Sequence, residues 1–404
     1  MNTTVSSKPE ERRRVSVVAV LPGTKTGMTL MTKRIVDEMR QVMDVRLFDI
    51  SGGYQKSNWV WRIVKASRSF LSGLQILSWR AKPGECLYIP INSQAGLLYN
   101  VWQFMMGRLR GFQIVAHHHV WSYLSSYDWR MDWLIRTAGT RGIHVVACPE
   151  MLRDLRVMYP RQFGSAFVTP GIVGPKSAVS SDSGECFFPG SRRFRLGMLS
   201  NLTLAKGVGE AIDTLENCLR VGLDVELLLA GPIRDEASRN RIESARLRHG
   251  DRLKHLGPLY DDRKDEFYRS LDAFIFPTRY PNESWGIVLN EALMAGVPVA
   301  TFRRGCTAYL VGDAGLVVEQ NQSFSELATA QVKAWIDDQE AYARARAIAV
   351  KRGVELREEA ERQLSLFLNA FATKEWPPLP PLDRTTCSVV SLPVGNTSGE
   401  VHRS

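Results

Sequence analysis

No apolar run in this 404-residue chain is long enough to cross a bilayer as a helix. The run Val15–Leu21 follows Arg12–Arg14 and resembles a secretion signal at first sight. It is too short, and it enters Pro22–Gly23 without a small-residue cleavage site, so a buried first strand fits better. The six cysteines (Cys86, Cys148, Cys186, Cys218, Cys306, Cys387) include no Cys-x-x-Cys pair and no zinc-ligand spacing. Free thiols in a reducing compartment are the simplest account of them. No GxGxxG fingerprint and no Walker loop follows the first strand, where the sequence runs Gly23–Gly27 (GTKTG). That excludes an ordinary dinucleotide-binding dehydrogenase and a P-loop nucleotidase. Acidic residues are absent from Lys56–Arg80.

What is present is an ordinary globular composition with a formal net charge of +10. Two readings of that charge stand: an anionic partner such as nucleotide phosphates or an anionic lipid surface, or a solubilising surface bias. The basic residues form no recognised nucleic-acid module, so nucleic acid is not expected as a partner. The length exceeds what one core supports, which predicts two domains.

Val15–Leu21 is a continuous β-branched run, as in a parallel strand covered on both faces. Met28–Val42 reads as an amphipathic helix and Val45–Asp49 as a short strand. Cys86–Ile91, Gln113–Ala116, His144–Ala147 and Ala166–Thr169 continue the β-α alternation. Residues 174–193 are rich in Gly, Ser and Pro and read as a linker with an adjoining loop. A second α/β series follows, with strands at Arg195–Leu199, Val225–Ala230, Leu253–Leu256, Ala273–Phe276 and Val297–Thr301, and helices at Gly207–Val221 and Gly286–Ala295. The expected organisation is a loose arm over 1–14, a first Rossmann-like domain over 15–172, a linker over 173–193 and a second Rossmann-like domain over 194–354. A terminal helix over 355–373 that packs back on the first domain, and a disordered tail over 374–404, complete it. Ligands in such folds bind at the carboxyl ends of the strands, here lining an interdomain cleft.

Ala273–Val299 reads AFIFPTRYPNESWGIVLNEALMAGVPV. It resembles the signature of family four glycosyltransferases, known as glycosyl transferases group 1, which have the GT-B fold of two Rossmann-like domains facing across a cleft. Glu283 and Glu291, with seven residues between them, occupy the signature's two glutamate positions. Lys206–Gly207 resembles the family's Lys-Gly step, and Ala230–Gly231 its strand-ending Ala-Gly. The resemblance implies a retaining transfer of sugar from a nucleotide-diphosphate sugar, with Glu283 on the sugar, Glu291 on the ribose and Lys206 on the diphosphate. Gly286 is expected to open a helix whose first N–H groups, on Ser284, Trp285 and Gly286, can receive the diphosphate or the sugar without an added cation. Plainer readings of the two glutamates are a charge at a helix N-terminus and a solvated helical face.

The chain departs from the family at Ser200–Asn201, where many members carry Gly-Arg. Asn201 can donate a hydrogen bond but brings no charge. Arg303 and Arg304 are candidates to replace the missing cation. Gly27 suits a close backbone approach to the donor, or is a plain turn glycine. A histidine commonly ends the strand matching Gln113–Ala116 in this family, and His118 or His119 fits that place. Adjacent side chains of an extended segment face opposite ways, so His117–His119 cannot readily share a metal. Trp121, Tyr123 and Asp128 could line the acceptor side, with core packing the simpler reading of Trp121.

No Asp-x-Asp occurs, so no metal and no cofactor beyond the donor substrate are expected. The implied partners are a nucleotide sugar and a glycan or lipid-linked acceptor, in polysaccharide or glycoconjugate biosynthesis in the cytoplasm. Lys56–Arg80 interleaves Trp59, Trp61, Phe70 and Trp79 with five basic residues, which suits either peripheral contact with an anionic membrane on its cytoplasmic face or an ordinary amphipathic helix packed on the sheet with a solvated basic side. Rival readings are a sugar-nucleotide epimerase of the same fold and a catalytically silent carbohydrate-binding relative.

Overall fold

The computed structural model describes residues 13–21, 27–51, 59–161, 163–169 and 192–381, with the backbone alone for 59–62. Residues 1–12 of the expected arm, most of the linker, the Pro22–Thr26 part of the first loop, and the tail beyond 381 lie outside the described residues.

The first domain runs β1 (Arg14–Ala19), α1 (Gly27–Val42), β2 (Asp44–Asp49), α2 (Trp59–Ser78), β3 (Cys86–Ile91), α3 (Gly96–Leu109) and β4 (Gln113–His118). It continues with α4 (Ser122–Ser125), α5 (Trp129–Ala138), β5 (Ile143–Val146), α6 (Pro149–Met158) and β6 (Ser165–Val168). Its sheet has the order β2-β1-β3-β4-β5-β6, and every pairing is parallel. Parallel strands need helical crossovers, which bury both faces. The burial of all six residues of β3 follows from that.

The second domain runs β7 (Phe194–Leu199), α7 (Val208–Arg220), β8 (Val225–Ala230), α8 (Glu236–His249), β9 (Leu253–Gly257), α9 (Asp262–Arg269) and β10 (Ala273–Phe276). Then come α10 (Ile287–Met294), β11 (Val299–Phe302), α11 (Thr307–Val311), β12 (Gly315–Val318) and α12 (Phe324–Asp337). Its sheet order, β12-β11-β10-β7-β8-β9, is also all parallel. Counted from its first strand this is the doubly wound Rossmann order.

The last helix, α13, is 35 residues long and spans Gln339–Thr373, starting well before the expected Glu355. Asp338 caps it by accepting from Ala341 N at 2.9 Å. Its first half lies on the second domain, where Tyr342 Oη donates to Asp272 O at 3.0 Å. Its second half crosses to the first domain. Ala360, Leu364, Phe367 and Phe371 join the cluster of Val15, Val17, Ile35, Met39 and Tyr88. Phe367 is fully buried there, worth about 2–3 kcal/mol.

The chain beyond the helix differs from the sequence expectation. Residues 374–381 lie against the first domain instead of beginning a structureless tail. Trp376 packs edge-on against Phe367 and Phe371. Arg156 Nη1 donates to Pro380 O at 2.6 Å, and Ser165 Oγ donates to Pro377 O. Proline carbonyls and one tryptophan fix this segment without regular structure, which is why composition alone pointed to disorder.

Candidate functional site

The second sheet reverses its winding between β7 and β10. The loops leaving these neighbours diverge, and the crevice between them is the binding position of open α/β sheets. Lys206 comes from the loop after β7. Thr203 Oγ1 accepts from Lys206 N at 3.1 Å, capping a short 3-10 turn over Leu204–Lys206. Gly207 follows with φ of 95°, and a Cβ there would lie 2.2 Å from Pro277 O. Only glycine permits this crossing, which explains the Lys-Gly step physically.

Glu283 comes from the loop after β10. Lys206 Nζ lies 2.5 Å from Glu283 Oε2. The same ammonium sits 4.4 Å from the Tyr280 ring centroid. Arg304 joins them from the loop after β11, donating to Tyr280 O at 3.2 Å and Pro281 O at 2.9 Å. Burial lowers its pKa and the Glu283 charge raises it, and a guanidinium keeps its proton through such shifts.

Glu291 sits one turn inside α10 and has a cation of its own. Lys264 Nζ is 2.5 Å from Glu291 Oε1, and Tyr268 Oη donates to Oε2 at 2.9 Å. Burial pushes the Glu291 pKa up, while Lys264 and Tyr268 pull it back. Lys264 and Tyr268 come from α9, an element the sequence reading did not identify. Gly286 precedes α10 as its N-cap. Among the described residues, the N–H groups of Ser284, Trp285 and Gly286 meet no acceptor. The Trp285 ring is buried, and its Nε1 is likewise without a partner among them.

From the first domain, Gly27 at the start of α1 faces the start of α10, and a Cβ on it would lie 2.9 Å from Ile287 Cδ1. The strand β4 extends through His118, so the histidines alternate between faces. His118 points into the core. Its Nδ1 pairs with Tyr123 Oη at 3.0 Å and its Nε2 with His144 Nδ1 at 3.0 Å. His117 pairs with Tyr88 Oη at 2.5 Å. The His119 ring lies tilted against that of His117 with centroids 3.9 Å apart, and its Nε2 has no partner among the described residues. The backbone of His119 meets the second domain: Ser284 Oγ donates to its carbonyl at 2.7 Å. His119 is therefore the histidine beside the donor loop, and His118 is engaged at both nitrogens away from it. Burial lowers the pKa of all four histidines. Trp121 is buried, Tyr123 belongs to the His118 network, and Asp128 caps α5 by accepting from Arg130 N at 3.0 Å.

Asn201 does not stand alone. Arg234, from the loop after β8, donates through Nε to Asn201 Oδ1 at 3.0 Å. Of the two arginines proposed to replace a missing cation, Arg304 adjoins the Glu283 loop, while Arg303 turns to Glu319 at 2.6 Å. The cysteines require a correction. Cys148 and Cys306 are joined in a disulfide with Cα atoms 6.1 Å apart, linking the two domains. They lie 158 residues apart in sequence, and only the facing of the two sheets brings them together. Cys86 and Cys218 are free and buried.

Residues 189–352 match the family model described as glycosyl transferases group 1. Over these residues the chain is similar to glycosyl transferases group 1. Anabaena HepE in complex with UDP is structurally similar to the chain, with a TM-score of 0.62 and 17% identity over 87% of this chain and 100% of that one. Sucrose-phosphate synthase from Thermosynechococcus elongatus gives 0.67 and 15% over 90% and 100%. WaaG, a glycosyltransferase involved in lipopolysaccharide biosynthesis, gives 0.61 and 14% over 87% and 99%. No curated protein sequence matches the chain. The fold of the chain is GT-B, two Rossmann-like domains facing each other, and the second domain, which the family model matches, is the one that carries Lys206, Glu283 and Glu291.

Proposed function

We propose that this chain is a retaining family four glycosyltransferase, moving a sugar from a nucleotide-diphosphate sugar to a glycan or lipid-linked acceptor in polysaccharide or glycoconjugate biosynthesis. The observation that supports this most is the Lys206–Glu283 pair at the winding reversal of the domain that the family model matches. HepE, of the same fold, binds UDP.

In this reading Glu283 accepts from the sugar hydroxyls and Glu291 from the ribose. Lys206, Arg304 and the free N–H groups before α10 face the diphosphate. Positive charge there stabilises the leaving nucleotide as the glycosidic bond breaks. Donor binding places the sugar for attack by the acceptor hydroxyl on the face the nucleotide leaves, with the departing phosphate taking the proton. No metal enters the scheme. Lys206 is shared between Glu283 and the phosphates, so Glu283 is freed toward the sugar as the donor arrives. His119, kept neutral by burial, lies on the acceptor side.

The test is transfer from a panel of nucleotide-diphosphate sugars, preceded by a thermal-shift screen that ranks them, since bound donor raises apparent stability. Release of nucleotide diphosphate with the anomeric configuration retained in the product is expected. An epimerised sugar nucleotide formed without acceptor would favour the epimerase, and neither hydrolysis nor transfer would favour a silent relative.

A second feature concerns the acceptor, and it supports peripheral contact with an anionic membrane at the cytoplasmic face. The outer helices of the first domain expose Phe70, Leu74, Met105, Leu109, Trp129 and Trp133. Residues 56–141 carry eleven basic side chains against three acidic ones, Glu85, Asp128 and Asp132. All three acids are held in ion pairs with arginines. Apolar anchors amid an excess of basic over acidic residues suit an anionic lipid surface. The surface is wider than the single segment Lys56–Arg80. Trp79 of that segment does not belong to it, because it is buried under the Arg46 guanidinium, 4.4 Å from the ring centroid.

A further inference from the structure

We infer that Cys148 and Cys306 form a thiol–disulfide exchange site that controls opening of the interdomain cleft, the class of reactant being a small thiol or disulfide such as glutathione. The consequence for donor entry rests on the donor reading above; the control of opening does not.

Cys148 is the N-cap of α6, just past β5 of the first domain, and Cys306 is the N-cap of α11, just past β11 of the second. Both residues are at carboxyl ends of strands, on the two lips of the cleft, and both are fully buried. The second-domain end of the bond is fixed to the donor loop. Cys306 N donates to Ser284 O at 2.6 Å. At the adjoining Gly305, with φ of 60°, a Cβ would fall 2.5 Å from Ser284 O and 2.6 Å from Glu283 O. The Glu283–Ser284 backbone is thus clamped to the residue that carries the sulfur. A hydrogen bond, Ser284 Oγ to His119 O, ties the same loop to the first domain.

In this closed arrangement the Glu283 side chain is 12% exposed and that of Lys206 20%. A nucleotide sugar reaches them only when the lips part. Hydrogen bonds break and reform readily during such motions, but a disulfide keeps its two Cα atoms within about 7 Å. The bond therefore holds the lips together beside the donor loop, and its reduction frees them. The other described cysteines are poor rivals for this chemistry. Burial pushes Cys86 up to about 12 and Cys218 to about 11, so both stay protonated thiols.

Both sulfurs are covered in the closed form, so reduction waits on a local opening that admits a glutathione thiolate to one of them. The Cys148–Cys306 bond breaks, a mixed disulfide forms, and the other cysteine leaves as thiolate and takes a proton. A second glutathione thiolate attacks the mixed disulfide and releases glutathione disulfide, and the second cysteine is protonated. Two electrons and two protons reach the protein. Oxidation by glutathione disulfide runs the same steps in reverse.

The experiment equilibrates the full chain at graded ratios of reduced to oxidised glutathione, traps free thiols by alkylation and maps the Cys148–Cys306 peptide pair by mass spectrometry. X-ray scattering and backbone hydrogen exchange around His119 and Ser284 are followed in parallel. The cross-linked fraction is expected to rise with glutathione disulfide, and the oxidised form to be more compact and better protected at both residues. UDP association should be slower in the oxidised form by about tenfold or more, as expected when binding waits on a conformational change. Cys148→Ser and Cys306→Ser should match the reduced wild type in both buffers. Because reduced wild type is itself a comparison state, a variant that fails to fold leaves the test intact. Absence of the cross-linked peptide at every ratio would overturn the inference. So would cross-linked and reduced protein with the same scattering and the same exchange. Failure of UDP to bind either form would instead count against the donor reading, and the scattering and exchange results would still decide this one.

Discussion

The two lips of the cleft are built from the same structural grammar and carry opposite chemistry. On the second domain the strand ends present paired charges: Lys206 with Glu283, Lys264 with Glu291, and Arg304 beside them. On the first domain β4 ends in buried neutral rings, with His118, His144 and Tyr123 in one chain of hydrogen bonds and His117 with Tyr88 in another. A lip of fixed charges is suited to a ligand that brings its own charge, which a diphosphate does. A neutral lip is suited to an uncharged hydroxyl acceptor. In a buried setting either arrangement is costly to alter on one side only, because an unpaired charge or an orphaned ring nitrogen remains.

The largest effect is expected where the contrast is sharpest. Lys206→Ala removes the cation that faces the leaving phosphate, and Glu283→Ala removes its partner. Each should lower kcat by about 10²–10³-fold, the scale for loss of one preorganised electrostatic group. Steady-state turnover with a saturating donor measures this. Wild-type-like turnover in either variant would show that the charged lip is structural.

Glu291 provides the next comparison within the same lip. Its carboxylate is fully engaged by Lys264 and Tyr268 and lies deeper than Glu283. Glu291→Gln should act on donor affinity more than on the chemical step. Losing one charged acceptor costs about 1–3 kcal/mol, roughly five- to 150-fold in donor Kd. Calorimetry with nucleoside diphosphate alone checks it. An unchanged Kd would leave Glu291 as an interior ion pair that orients α9 on α10.

These two lips were unequally legible in the sequence. The charged one could be placed because its residues sit at fixed offsets from a strand and a helix start: Glu283 and Glu291 flank Gly286, and Lys206 precedes Gly207. Such offsets survive in one dimension. Arg234 beside Asn201, and Lys264 with Tyr268 on Glu291, could not be placed, since each reaches its partner from a neighbouring strand or helix whose register only the folded sheet fixes. Both sheets were visible as short apolar runs, apart from β12 (Gly315–Val318), which the sequence reading did not place. The start of α13 was not, because Gln339–Val354 is rich in Ala and Arg and gives only a weak apolar stripe. On the neutral lip, three consecutive histidines could not be told apart until the end of β4 was known to lie at His118. The disulfide had no sequence signal at all, as its two cysteines belong to different domains.

The outer face of the first domain contrasts with that of the second. Exposed apolar side chains of the second domain, such as Leu247 and Val221, are scattered singly, whereas Trp129 and Trp133 form an edge-to-face pair beside exposed Met105 and Leu109 on the adjoining helix. Trp129→Ser with Trp133→Ser should weaken binding to vesicles containing anionic phosphatidylglycerol by about tenfold, while transfer to a soluble acceptor is retained. Co-sedimentation reads the first and product formation the second. Equal absence of the wild type from pellets with and without anionic lipid would remove the membrane from the proposal.

The smallest effect on turnover is expected from pH, and it separates the lips most cleanly. Burial holds His119 and His144 down to about 3, and His117 and His118 well below their ordinary value. An unfolded histidine takes up its proton near 6.5, so below that pH the unfolded chain binds protons that the folded chain refuses. Stability is therefore fully present above about pH 7 and declines as pH falls from 6.5 toward 3. Each such histidine adds a slope of up to about 1.4 kcal/mol per pH unit. Denaturant midpoints at pH 7.5 and 5.5 measure the decline, and His144→Phe, which keeps a ring against Phe163, should reduce it. Turnover between pH 6 and 8 should meanwhile show no ionisation from the neutral lip. If wild-type turnover instead carries an ionisation near 6.5 that His119→Gln abolishes, then His119 takes up a proton at the site, and the first-domain lip is not neutral in the working enzyme.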